Sequence, residues 1–287
     1  MKGSKIDPAV FYPPIFAAIL LVPIALFYRF QRVDERIANA LVVTVLFCFY
    51  STAATVFIHA LPPFGREPID PILIEMEGGL GYSWVGLSGW MAEHPLLNEI
   101  FRSAYISTMG VMMLALLWLA AQNDRKGLHK FLISTMWAGT LTTVVWVAIP
   151  TVGPSAFLVL DPEVEAVVRP LADSQFGIEL NRIMAEGIPH ITAIEMKGLI
   201  GFPSFHTVMV VLPIICVWHY AKARWLFVAI ALITAPSILV HGGHNFVDLI
   251  GGAAVSLASF AIASRMFRQM DETDAFQQPV GLAPKPA

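Results

Sequence analysis

The side chains best suited to chemistry lie in two short polar stretches. One is Gly201-Phe202-Pro203-Ser204-Phe205-His206 and the other is His241-Gly242-Gly243-His244-Asn245-Phe246-Val247-Asp248. His244 and Asp248 stand four residues apart, so on a helix they share a face and touch. A carboxylate beside an imidazole fixes its tautomer, orients it and stabilises its cationic form, leaving the other ring nitrogen to act as nucleophile or base. His206, in the first turn of another helix, suits the matching general acid. Pro203 and Ser204 are helix-start residues, and Ser204 suits both a cap and a phosphate contact. Helix starts offer free N–H groups and a positive dipole end to a phosphate oxyanion. Gly201, Gly242 and Gly243 permit close backbone approach. Two histidines, one carboxylate and two helix starts together fit phosphoryl transfer.

These stretches need a scaffold that brings them to one place. Each stands at the mouth of a long apolar run: 203–220 follows the first and 245–267 the second. The run 225–240 lies between them and returns the chain. Two parallel runs start on the same side of a membrane, so Ser204, His206, His244 and Asp248 meet at one membrane face.

The pattern resembles the type 2 phosphatidic acid phosphatase superfamily. Its second motif, Pro-Ser-Gly-His, reads here Pro203-Ser204-Phe205-His206. Its third motif has Ser-Arg, five residues, His, three residues and Asp. Ser237, His244 and Asp248 fit those offsets, but the Arg position holds Ile238. The first motif is broken, because Arg169-Pro170 is present while Pro162 stands where its Lys belongs. Phe205 and Ile238 look more like the branch that holds the inositol phosphorylceramide synthases and sphingomyelin synthases. The resemblance implies that His244 attacks phosphorus and forms a phosphohistidine. It further implies that His206 protonates the leaving group, that Asp248 orients the nucleophile, and that Ser204 and Ser237 stand near the phosphate. A phosphoryl-transfer site must neutralise charge on the equatorial oxygens, which Ile238 cannot do. Lys197 and Arg169 are the basic residues placed to replace the lost Arg, with Arg182 as a further alternative.

Composition supports a membrane setting. The chain is 56% hydrophobic and 14% charged, with a mean hydropathy of +0.67, against about 25% charged residues in soluble domains. A net charge of -3 does not point to nucleic acid. Cys48 and Cys216 lie inside apolar runs and read as core residues, not as a disulfide. The predicted fold is all-α: a polytopic membrane protein of about six to seven transmembrane helices with a helical-bundle phosphatase core. The candidate spans are 14–28, 39–61, 103–121, 131–149, 203–220, 225–240 and 245–267. The first reads as a retained helix, since no small-residue cleavage site follows it at once. Three segments follow from this. Residues 1–130 carry N-terminal spans and a loop 62–102, which reads as interfacial or re-entrant. Residues 131–268 form the phosphatase-like core with a loop 150–200. Residues 269–287 read as a disordered cytoplasmic tail.

Arg29, Arg32, Arg36, Arg125, Lys126, Lys130, Lys222, Arg224, Arg265 and Arg268 all fall on one side of such a bundle, which makes that side cytoplasmic. The long loops and both motifs then face the periplasm of a bacterium or the lumen of a eukaryotic compartment. His59, His190 and His241 carry no motif and read as bystanders, and His219 reads as interfacial. The expected partners are the bilayer and a phospholipid or lipid phosphate, with water or an alcohol such as inositol as acceptor, and no nucleic acid. No cofactor or metal is needed, because histidine and the helix starts carry the charge. Three rival readings remain. His241, His244 and Asp248 could form the zinc set of a metal-dependent membrane hydrolase. His206 and His244 could be axial haem ligands. The polar centre could also belong to a lipid transporter.

Overall fold

A computed structural model describes residues 5–61, 66–192 and 198–277. Among these the chain is helical almost throughout. Its helices are α1 (Tyr12–Phe30), α2 (Glu35–Ala60), α3 (Asp70–Gly79), α4 (Trp84–Ala92), α5 (Pro95–Ile106), α6 (Thr108–Ala121), α7 (Arg125–Ala148), α8 (Pro162–Val168), α9 (Ser174–Glu186), α10 (Phe205–Val217), α11 (Ala221–Gly242) and α12 (Phe246–Gln277). Two short strands, β1 (Lys5–Ile6) and β2 (His190–Ile191), pair in parallel. They tie the N-terminal segment to the second long connection.

Local chemistry sets most of the boundaries. Asp34 caps α2 by accepting from the N–H groups of Arg36 and Ile37. Asp124 caps α7 at Gly127 N, and Ser204 caps α10 at Thr207 N. These acceptors satisfy donors that have no partner inside the helix. α11 ends at Gly243, whose φ of 57 lies in the left-handed region where glycine carries no Cβ penalty.

Five helical stretches are long and apolar enough to cross a membrane: Pro8–Phe30, Glu35–Ala60, Arg125–Ala148, Ala221–Gly242 and Phe246–Met270. α5 and α6 make a sixth if taken as one span, but they bend by 56° at Ser107. The span read as straight over 103–121 is therefore broken. Thr108 donates its hydroxyl back to the Tyr105 carbonyl at 2.9 Å, a bond that competes with the helical ladder. The candidate span 203–220 holds only the 13-residue α10, shorter than the other spans. At the far end, α12 runs on to Gln277. Residues 269–277 of the expected tail are thus helical, since no Gly or Pro interrupts them, and 278–287 lie outside the described residues.

The main core joins α2, α6, α7, α10, α11 and α12, with Leu116, Phe131, Leu212 and Phe227 fully buried. A second cluster, around Trp146, Leu180, Ile183 and Ile191, holds the connection after α7 over one end of the bundle. The first long connection is more ordered than its composition suggests. It folds into α3, α4 and α5, and Trp84 donates from its indole to the Val240 carbonyl at 3.2 Å.

Candidate active site

The two polar stretches meet. The C-terminal turn of α11 and Gly243 deliver His244 to the start of α12, and Asp248 lies in the first turn of that helix. His244 Nδ1 stands 3.0 Å from Asp248 Oδ2. A carboxylate accepts only, so Nδ1 carries the proton and Nε2 presents its lone pair. That nitrogen faces the Ser204 hydroxyl at 3.3 Å. The His206 ring lies 5.9 Å from the His244 ring, centre to centre, at 66°, and is stacked on Tyr105 at 4.5 Å. Ser204 and Asp248 are fully buried and His244 is 3% exposed, while His206 is half-buried. Ser204 N also donates to the Asp248 carbonyl at 3.0 Å, so the two motifs are joined through backbone as well.

Close crossing of α10 and α12 makes this possible. A Cβ on Gly252 would meet the Ser204 carbonyl and the Thr207 side chain, and one on Gly251 would meet the Phe202 ring. Thr151 holds the approach to α10. Its carbonyl accepts from Gly201 N at 3.2 Å, and its hydroxyl accepts from Phe202 N.

Three residues with no motif support the loop that carries His244. Asp70 is fully buried at the start of α3. It accepts from Val152 N at 2.9 Å, Gly153 N at 2.8 Å and Asn245 Nδ2 at 3.2 Å. Burial pushes its carboxyl up to about 6; the two N–H bonds oppose the rise and the charge on Asp248 adds to it. Glu77 accepts from Phe246 N at 2.9 Å and Val247 N at 2.8 Å. Tyr82 donates to the His244 carbonyl at 3.0 Å, and burial followed by the charges of Glu77 and Asp248 pushes its phenol up, which keeps the donor protonated. None of the three is among the residues expected from the sequence; an Asp-Pro dipeptide at 70–71 suits a helix start, but partners some 170 residues away leave no local spacing to read.

These carboxylates correct one expectation. The start of α12 is not open to an oxyanion, because Asn245 N is taken by Asp248 Oδ2 at 2.9 Å and the next two N–H groups by Glu77. The start of α10 remains: among the described residues the N–H groups of Phe205 and His206 have no partner.

The expected phosphate ligands are placed unevenly. Ser204 is at the site. Ser237 is buried and donates to the Thr234 carbonyl of its own helix at 2.6 Å. Arg169 pairs with Glu99 at the surface, with just over half of each side chain exposed. Arg182 pairs with Glu179 at 2.6 Å and Glu186 at 3.6 Å. Neither arginine joins His244, because surface carboxylates already hold both. Lys197 lies outside the described residues. Among the described residues, no three His, Cys, Asp or Glu side chains are gathered as metal ligands. His241 is buried and forms no such group with His244 and Asp248, and neither of its ring nitrogens has a hydrogen-bond partner among the described residues.

A buried His–Asp pair, a second imidazole and a helix start, held on an all-α membrane bundle, suit a protein of the phosphatase and phosphotransferase type. The family comparison agrees: a model described as the PAP2 superfamily matches residues 71–262, about two thirds of the chain. The chain belongs to that superfamily. Neither the curated proteins nor the solved structures compared gave a match.

Proposed function

We propose that this chain is a membrane enzyme that transfers a phosphoryl or phospho-headgroup unit from a phospholipid or lipid phosphate through a phosphohistidine. The observation that carries the reading is the His244 ring, held by Asp248 on one nitrogen, with the other nitrogen beside Ser204 and the His206 ring. Nε2 of His244 attacks phosphorus as the bond to the leaving oxygen breaks. His206 supplies the proton that this oxygen needs. Asp248 stabilises the positive charge that develops on the imidazole. In the second half-reaction His206 removes a proton from the acceptor, whose oxygen attacks phosphorus and expels His244. The N–H groups of Phe205 and His206 are suited to the equatorial oxygens.

Water as acceptor makes a lipid phosphatase. An alcohol such as inositol makes a headgroup transferase of the inositol phosphorylceramide synthase type. Ile238, fully buried where the family pattern has Arg, favours the second: a weak clamp suits a diester or zwitterionic headgroup better than a free phosphate. The basic residues at the opposite ends of α1, α7, α11 and α12 favour an extracytoplasmic site.

An acceptor assay on the purified protein in mixed lipid micelles tests this. Lipid phosphates and phosphodiester lipids are supplied with and without inositol, ceramide and diacylglycerol, and both free phosphate and new lipids are followed. Free phosphate lost in His244→Ala means hydrolysis. A new phospholipid without free phosphate means transfer. Equal activity in His244→Ala would overturn the reading.

A further inference from the structure

Two cavities meet at His206. One, of about 440 Å³, lies under the loops beside Tyr105, Asp173 and Gly242. The other, of about 250 Å³, runs among α2, α6, α7 and α10. They share Gly198, Ile200 and His206.

The second cavity is elongated. On α2 its wall runs from Phe47 to His59, about 18 Å at the helical rise. On α7 it runs from Thr135 to Thr142. Its described lining holds no Lys, Arg, Asp or Glu. Most of its polar groups are turned to their own backbone or a neighbour's: Thr55 donates to the Ser51 carbonyl, Thr135 to the Phe131 carbonyl and Tyr50 to the Met136 carbonyl, while the Thr142 hydroxyl has no partner among the described residues. An uncharged, mostly apolar slot that opens on His206 fits an extended apolar ligand whose end is polar.

We propose that this slot holds one hydrocarbon chain of the lipid substrate while the phosphate lies between His206 and His244. The inference rests on the phosphoryl-transfer reading and adds where the lipid is recognised. Its longest wall is α2 (Glu35–Ala60), which precedes the family-matched segment 71–262. Chain selection is therefore built by a helix outside the part of the protein that carries the chemistry.

The test is binding of n-alkyl phosphonates, from butyl to tetradecyl, to the full chain in nanodiscs. The ratio of dissociation constants between variant and wild type cancels the partition of each compound into the bilayer. Ala54→Phe, which fills the slot part-way along α2, is expected to leave the ratio near one for the shortest chains. It should raise the ratio by about tenfold or more for chains that pass residue 54, given roughly fourfold per methylene moved out of an apolar site. Phe47→Ala, which extends the far end, is expected to shift the ratio the other way for the longest chains. Leu232→Phe, at a 73% exposed position on α11, should leave every ratio at one.

A ratio independent of chain length in both slot variants would overturn the slot. Because binding is read without turnover, the two readings fail separately. Length-dependent ratios with no turnover of any phosphoester would sink the reaction and keep the slot. Turnover with flat ratios would do the opposite.

Discussion

The proposed attack by His244 requires its proton on Nδ1, where the Asp248 carboxylate accepts it. Asp248→Asn keeps the shape but offers an amide that can point its N–H at the ring. We expect kcat to fall by about two to four orders of magnitude with little change in KM, as for other imidazoles that lose their orienting carboxylate. Steady-state kinetics on a soluble short-chain phosphoester measures this split. Asp70 gives a different signal. Its carboxyl titrates near 6 in the folded chain, above its unfolded value. Such a group stabilises the fold fully below the unfolded value, and the benefit is lost as pH rises through about 6. The span is worth up to about 3 kcal/mol. The Tm of wild type minus that of Asp70→Asn should therefore fall as pH is raised from about 4 to about 7. A difference that grew with pH would contradict the assignment.

At the scale of elements, the geometry around His244 depends on how α3 and α10 bear on α12. Glu77→Ala leaves the Phe246 and Val247 N–H groups without their acceptors and should cost about 1–3 kcal/mol in denaturation. Glu77→Gln, which keeps one carbonyl oxygen, should recover part of that loss together with part of kcat. Gly252→Ala places a methyl against the Ser204 backbone, so α10 and α12 must part and Ser204 must leave His244. Activity should fall further than the Tm suggests; equal losses in both would mean that the contact matters for folding alone. Some of this was legible and some was not. The His–Asp pair and His206 follow from helical spacing and from runs that share a direction, both local properties of the chain. Asp70 and Glu77 were missed because their meaning lies in contacts with Asn245, Phe246 and Val247, far along the chain. Position alone makes Arg169 a candidate phosphate ligand, and Glu99, which claims it, is visible only once α5 and α8 are side by side.

For the whole molecule, the continuous apolar runs of α1, α2, α7, α11 and α12 made the bundle readable from composition. The break at Ser107 was not readable, because apolar residues continue on both sides of it. Orientation is open to direct measurement. Glu163→Cys, on the exposed first turn of α8, and Lys222→Cys, at the exposed start of α11, lie on opposite faces. An impermeant thiol reagent added to intact cells should label the first and spare the second. Labelling of Lys222→Cys alone would turn the protein over and put its chemistry in the cytoplasm.

The short α10 has a consequence for the bilayer itself. Its 13 residues give about 20 Å of helix, and the 22 residues of α11 give about 33 Å. The deficit falls on the side of the chemistry: the Ser204 carbonyl is level with Gly252, six residues into α12 and thus about 9 Å below its first turn. On the proposed mechanism, a phosphate bound at the start of α10 has to pass below the plane in which α12 begins, into a hydrocarbon layer about 30 Å thick. On that mechanism, membrane thickness is expected to set the rate. Thin bilayers bring the headgroup plane down to His244, and thick ones hold it away, so turnover in vesicles should decline as the acyl chains of the host lipid lengthen.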